Sequence, residues 1–295
     1  MLFIENQLIM RVVSLLLVIY LFSTSVNSQV QLKNSLLWKI SGKSLKEPSY
    51  IFGTFHLMCK DQFTISDTLK ASLLKTTQFY GELDMDDPTM QQQMMQLIAM
   101  PNRSLESYMK AEKFKICDSV FKTITGMSLK SLNQFKPFMS LSFLTIKTVP
   151  CSNFVQPETE LMNLAKANKK DILGLETVAE QLSAIDMEPI DSQVVALQKM
   201  VLNFDSTKAT MKEMMDMYQK NDSELLFQYI QKQGTDGLSE KALLVDRNKK
   251  WAPKMKTIMQ EKSSFFAVGA GHLGGKTGVL ALLRNLGFRV EPIQY

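Results

Sequence analysis

The chain has 295 residues, 45% of them hydrophobic and 21% charged, with a formal net charge of +5 at pH 7. Its Lys and Arg are spread out with no aromatic-interleaved basic block, which excludes a nucleic-acid surface and leaves solubility or weak attraction to anionic envelope surfaces. Three cysteines are too few for a disulfide scaffold and lack zinc-knuckle spacing.

The apolar run Val12–Phe22, broken only by Ser14, is too short to span a bilayer and has the length of a signal-peptide core. The small residues Val26 and Ser28 then predict cleavage after Ser28. Residues 1–28 are thus read as a signal peptide and residues 29–295 as one domain. The domain is exported, periplasmic or extracellular, with no stable membrane span after cleavage. A retained N-terminal anchor is the alternative.

Leu36–Ser41 and Tyr50–Phe55 are apolar runs joined by a loop containing Gly42 and Pro48, and they predict a hairpin. Asp67–Thr77 has a helical pattern. Gln78–Met85 reads as a strand whose alternation puts Glu82 and Asp84 on one face, opposite Leu83 and Met85. Pro88–Val149 is mostly helical, with breaks at Pro101-Asn102 and Gly126. A helix at Glu158–Asn168 and a strand at Asp171–Glu176 follow. Thr177–Gln233 is helical, interrupted at Pro189 and near Asn221-Asp222, and ends in a turn at Gly234–Gly237. Leu238–Lys262 is a helix in which Pro253 predicts a break or a new start. Strand Phe265–Val268, helix Gly278–Leu286 and strand Phe288–Ile293 close the chain. The result is an α/β (α+β) chain, with about six short strands forming a central sheet and a large helical insertion.

The two histidines both close a G-x-x-H pattern behind an apolar run, at Ile51–His56 and at Phe265–His272. Such runs read as buried strands ending in turns, and the two strand ends are expected side by side. Imidazole is the commonest metal ligand and the usual general base near neutral pH. An inward carboxylate such as Glu82 is costly unless it is paired or bound to a cation, and an edge strand with a solvated face is the plain alternative. Two neutral imidazoles and one carboxylate suffice to hold a divalent metal with positions left open. His56, Glu82 and His272 are therefore expected to meet at one cleft. Glycines 53, 269 and 271 are expected to let backbone approach closely there. Arg247 on the preceding helix would stabilise an oxyanion or fix Glu82, with a surface salt bridge as the plain alternative.

Ala270–Thr277 loosely satisfies a phosphate-binding loop pattern. Few residues follow Thr277 for the further strands of a nucleotide-binding sheet, and export would remove the chain from ATP, so nucleotide binding is disfavoured and binding of an anionic substrate group stays open. Clustered methionines (Met90, Met94, Met95 and Met100; Met211, Met214, Met215 and Met217) point to an adaptable core or greasy contact face rather than a Cu(I) site. One oxidised cysteine pair is expected. Cys59 with Cys151 is preferred for proximity to His56 and the Glu158 turn, although spacing leaves Cys117 an equal partner.

The motifs Leu37–Gly42, Pro48–Leu57, Gly81–Met85, Ile172–Thr177 with Gln181, Arg247-Asn248 with Trp251, and Phe265–Leu273 together resemble the TraB/GumN family, related to the Tiki metalloproteases. The similarity extends to Gly278–Leu280 and Gly287–Val290. The family's two G-x-x-H elements fall on Gly53–His56 and Gly269–His272, its strand glutamate on Glu82 and its late arginine on Arg247. The resemblance implies a metal-dependent hydrolase with a fold like that of erythromycin esterase and ChaN proteins.

The expected function is therefore an exported metallohydrolase acting on peptide or protein substrates. His56, Glu82 and His272 would hold Mn²⁺, Co²⁺ or Zn²⁺, and Arg247 would join them as a catalytic residue. The rival is a non-catalytic envelope protein that sequesters a peptide, or haem as ChaN proteins do.

Overall fold

The computed structural model describes residues 34–233 and 240–295. The expected signal peptide and the turn at Gly234–Gly237 lie outside the described residues. Six strands form one mixed sheet: β1 Leu37–Ser41, β2 Ser49–Thr54, β4 Gln78–Gly81, β6 Asp171–Gly174, β7 Ser264–Gly269 and β8 Arg289–Ile293. Their spatial order is β6-β4-β7-β2-β1-β8. Strands β6, β4, β7 and β2 run parallel, whereas β1 is antiparallel to both β2 and β8. The expected hairpin is present, with Leu37 opposite Phe52 and Ile40 opposite Ser49.

Strands β2 and β7 are apolar almost without interruption because helices cover both faces of the sheet. Phe265 and Ala267 of β7 point into one core with α1 (Asp67–Leu74) and α5 (Pro157–Ala167), the helix that precedes β6. Phe266 and Val268 point into a second core with Trp251 and Met255 of α10 (Asp246–Glu261) and Leu280 and Leu283 of α11 (Val279–Asn285). Period-two alternation thus divides the strand between two layers.

The helical insertion supplies α2 (Met90–Ile98), α3 (Ala111–Thr125), α4 (Pro137–Thr148), α6 (Val178–Asp186), α7 (Ile190–Leu202), α8 (Phe204–Tyr218) and α9 (Ser223–Gln233). Helices α3, α4 and α7 build a third core around Phe114, Phe121, Leu144 and Leu197. The free Cys117 is buried within it. Among the described residues, no helix is long and apolar enough to cross a membrane.

Three sequence expectations need correction, and one short strand pair lies outside them. The strand read as Asp171–Glu176 ends at Gly174, and the strand read as Gln78–Met85 ends at Gly81. Asp84 turns away from Glu82, its Oδ1 accepting from the Asp86 amide at 3.0 Å, while Leu83 buries beside Ile98, Val178 and Leu182. Pro253 lies inside α10 without breaking it. Its exposed position faces solvent, so the carbonyl deprived of an amide partner is open to water. A two-residue antiparallel pair, β3 (Met58–Cys59) with β5 (Phe154–Val155), is too short for any periodic signal. The Cys59–Cys151 disulfide joins the same two segments.

Candidate functional site

Because β4, β7 and β2 are adjacent and parallel, their carboxyl ends open onto one rim of the sheet, where α/β folds place ligands. Glu82 follows β4, His56 follows β2, and His272 closes a 3₁₀ turn, Ala270–His272, after β7. Gly269 lies between them. A Cβ at that position would come 3.2 Å from Glu82 Oε1, 3.6 Å from the His272 ring and 4.0 Å from the His56 ring. Of the three glycines singled out in the sequence, only this one faces the candidate site. A Cβ at Gly53 would strike Leu273 at 2.6 Å, and at Gly271 it would meet Ile230 and Leu244.

Arg247 stands at the centre of the buried side. Its Nη2 donates to Glu82 Oε2 at 2.5 Å and to Glu176 Oε1 at 2.7 Å, and its Nε donates to both Glu176 oxygens. Nη1 donates to the Leu243 carbonyl at 2.8 Å and faces His272 Nε2 at 3.1 Å. Leu243 belongs to a π-helical turn, Lys241–Val245, that leads into α10. The guanidinium lies over the Trp251 ring at 4.6 Å, and Trp251 Nε1 donates to Glu176 Oε2. Only a planar fork of donors fits two carboxylates and an imidazole at once. The surface salt-bridge alternative is thereby set aside, since Arg247 is buried.

Asn248, the next residue, fixes His272. Its Nδ2 donates to the Thr277 carbonyl at 3.0 Å, which turns Oδ1 toward His272 Nδ1 at 2.7 Å. That assigns the imidazole proton to Nδ1 and the lone pair to Nε2. Burial drives the His272 pKa down to about 3, with Arg247 and His56 adding to the shift and Glu82 opposing it. Burial would raise the Glu82 carboxyl. The facing positive charges of His272 when protonated, Arg247 and His56, with the Gly269 amide, outweigh it and hold Glu82 at about 2. Glu82 Oε1 accepts from that amide at 2.8 Å, Oε2 accepts from Gln181 at 3.2 Å, and His272 Nε2 lies 3.7 Å from Oε1.

His56 is placed differently. Its side chain is 76% exposed, and its Nδ1 faces Glu158 Oε1 at 2.8 Å. Thr54 Oγ1 donates to the same oxygen at 2.7 Å. The hydrogen bond to Glu158 lifts the His56 pKa to about 9. The bridge between Cys59 and Cys151 ties the His56 loop to the approach to α5, which carries Glu158.

The structure therefore brings Glu82, His272 and Arg247 into one bonded group and sets His56 across Gly269 from it. Among the described residues, no three His, Cys, Asp or Glu side chains are gathered tightly enough to enclose a metal ion. The reason is local: Arg247 holds Glu82 and faces His272 Nε2, while His56 turns to Glu158. The donors suit a divalent ion in kind, with two imidazoles oriented through Nδ1 and a carboxylate kept ionised, all bordering the space over Gly269.

Glu176, Asn248, Glu158 and Gln181 were not assigned roles from the sequence. Glu176 sits just past β6 and Asn248 beside Arg247, and both are buried and polar, which no linear pattern discloses. The loop from Ala270 to Thr277 is no phosphate cradle. The Gly275 amide donates to Glu224, and Phe227 packs against Gly274 and Gly275. A cleft of about 710 Å³ runs from the site, walled partly by Met211 and Met214.

The chain is a member of the TraB/PrgY/gumN family, whose model matches residues 36–292. It is 25% identical over 321 residues to human "Metalloprotease TIKI1" and 22% identical over 320 residues to zebrafish (Danio rerio) "Metalloprotease TIKI2". Each comparison covers 88% of this chain but only 62% and 61% of those relatives' own length. No solved structure gives a significant match.

Proposed function

We propose that this chain is an exported metal-dependent hydrolase that cleaves peptides, with His56, Glu82 and His272 as the donors to a divalent ion. The observation that carries this reading is the delivery of two imidazoles and a carboxylate around Gly269 by three adjacent strand ends. The relatives' name, metalloprotease, supports the peptide substrate and the metal. Export is supported by the Val12–Phe22 run and by the Cys59–Cys151 bridge, a bond that oxidising compartments sustain.

When bound, Mn²⁺, Co²⁺ or Zn²⁺ supplies a Lewis acid for the scissile carbonyl and lowers the pKa of an attacking water. The chain's own residues do the positioning. Asn248 and Glu158 hold the two imidazoles through Nδ1. Arg247 keeps Glu82 ionised and presents positive charge where an oxyanion develops. Glu176 and Trp251 keep that guanidinium in place.

Metal analysis of the purified protein, combined with digestion of a broad peptide pool, tests the reading. About one divalent ion per chain is expected, falling by more than roughly tenfold in His272→Ala and Glu82→Gln with the helical signal unchanged. Arg247's hold on both Glu82 and His272 favours a second reading, a protein that captures peptides without cleaving them. Bound metal with no turnover of any pool would select that second reading.

A further inference from the structure

We infer that a smaller cavity beside the candidate site is a recognition pocket for one large apolar side chain of the peptide, next to the bond to be cleaved. The substrate rests on the peptidase reading; the pocket's chemistry rests on its own walls. The cavity measures about 260 Å³ and is walled by Phe79, Leu83, Met85, Met162 and Ile172. That is below the roughly 300–1,000 Å³ of a cleft that swallows a whole ligand, and suits a single side chain.

Position gives the pocket its meaning. His56 and Glu82 border it and also border the larger cleft, as do Gln156 and Gln181. A peptide with one side chain in the small cavity and its chain continuing into the large one must cross His56 and Glu82. The pocket therefore reads a residue adjoining the reacting bond.

Two carboxylates at the lip, Glu82 and Glu158, would at first suggest a lysine or arginine. Both are already engaged. Glu82 accepts from Arg247, Gln181 and Gly269, and Glu158 pairs with His56 and Thr54. A cation entering the pocket would leave water to face Phe79 and Ile172, which are buried apolar side chains. An apolar side chain replaces water there with no unmet polar group. Each methylene it adds in such a pocket is worth roughly 10- to 200-fold in discrimination.

Blocked amino acids test the pocket without needing turnover. In shift titrations with the full chain, N-acetyl-leucinamide is expected to bind at least about tenfold tighter than N-acetyl-alaninamide or N-acetyl-lysinamide. Met162→Trp fills the cavity and Thr159→Phe, on the same wall, narrows it, so either folded variant loses the leucine preference. In digests, bonds flanked by Leu, Met or Phe are enriched, and the variants shift cleavage toward Ala and Gly. Equal binding of the three amides, a lysine preference, or a leucine preference untouched in both variants overturns the pocket. A leucine preference lost in the variants, with no pool cleaved by the wild type, upholds the pocket and sinks the peptidase reading alone.

Discussion

The two histidines end the same short motif on neighbouring parallel strands, yet they stand in opposite surroundings. His272 is buried, held by a neutral amide, and kept uncharged with a pKa of about 3. His56 is exposed, held by a carboxylate, and raised to about 9. The motif sets where each imidazole sits; the partner of Nδ1 and the access of water set its charge. In the proposed metallohydrolase the two would not be equivalent donors. His272 already offers a lone pair, whereas His56 must give up a proton near neutral pH before it can ligate.

The largest effect should come from breaking the buried side. Arg247→Met leaves Glu82 and Glu176 facing each other's charge without the fork that pairs them. A loss of about 3–5 kcal/mol of stability is expected, read from urea unfolding. A loss below about 1 kcal/mol would mean that the pairing contributes little.

Acid sharpens the comparison further. Folded His272 stays neutral down to about 3, whereas an unfolded imidazole takes a proton near 6.5. Its contribution is full above 6.5 and is lost as pH falls toward 3, with a slope approaching about 1.4 kcal/mol per pH unit. The Glu82 contribution is present above 4.5 and is lost as pH falls toward 2. His272→Gln should therefore flatten the stability profile between 6.5 and 4.5, while His56→Gln should leave that limb unchanged.

The smallest effect concerns the exposed side. Glu158→Gln removes the charge that lifts His56, so its imidazole titration, followed by NMR, should fall from about 9 toward 6.5. Stability should change by less than about 1 kcal/mol, because the pair is open to water. The raised pKa makes the sign of this small term clear. It supports the fold below 6.5 and fades as pH rises through about 9.

The six strands were legible because buried parallel strands are continuous apolar runs and the hairpin carries turn residues. Both histidines and Glu82 were legible because they interrupt or end those runs. What failed was local. Beyond Gly81 the Asp84 side chain holds a turn, so alternation no longer describes the chain. Pro253 was misread because a proline's cost depends on which face of the helix it occupies. Glu176 and Asn248 take their meaning from Arg247 and His272, and contacts across 71 and 24 residues leave no trace in spacing.

Strand order also governs when this protein can assemble. β7 is made after β1, β2, β4 and β6, yet it lies between β4 and β2 in the sheet. The hairpin and the β4–β6 pair have no strand to join them until residues 264–269 leave the ribosome. Pairings over such separations are slow to form, so from the completion of β6 at Gly174 until β7 is made the chain holds two unjoined halves. The residue that completes the buried cluster, His272, arrives with the strand that joins the two halves.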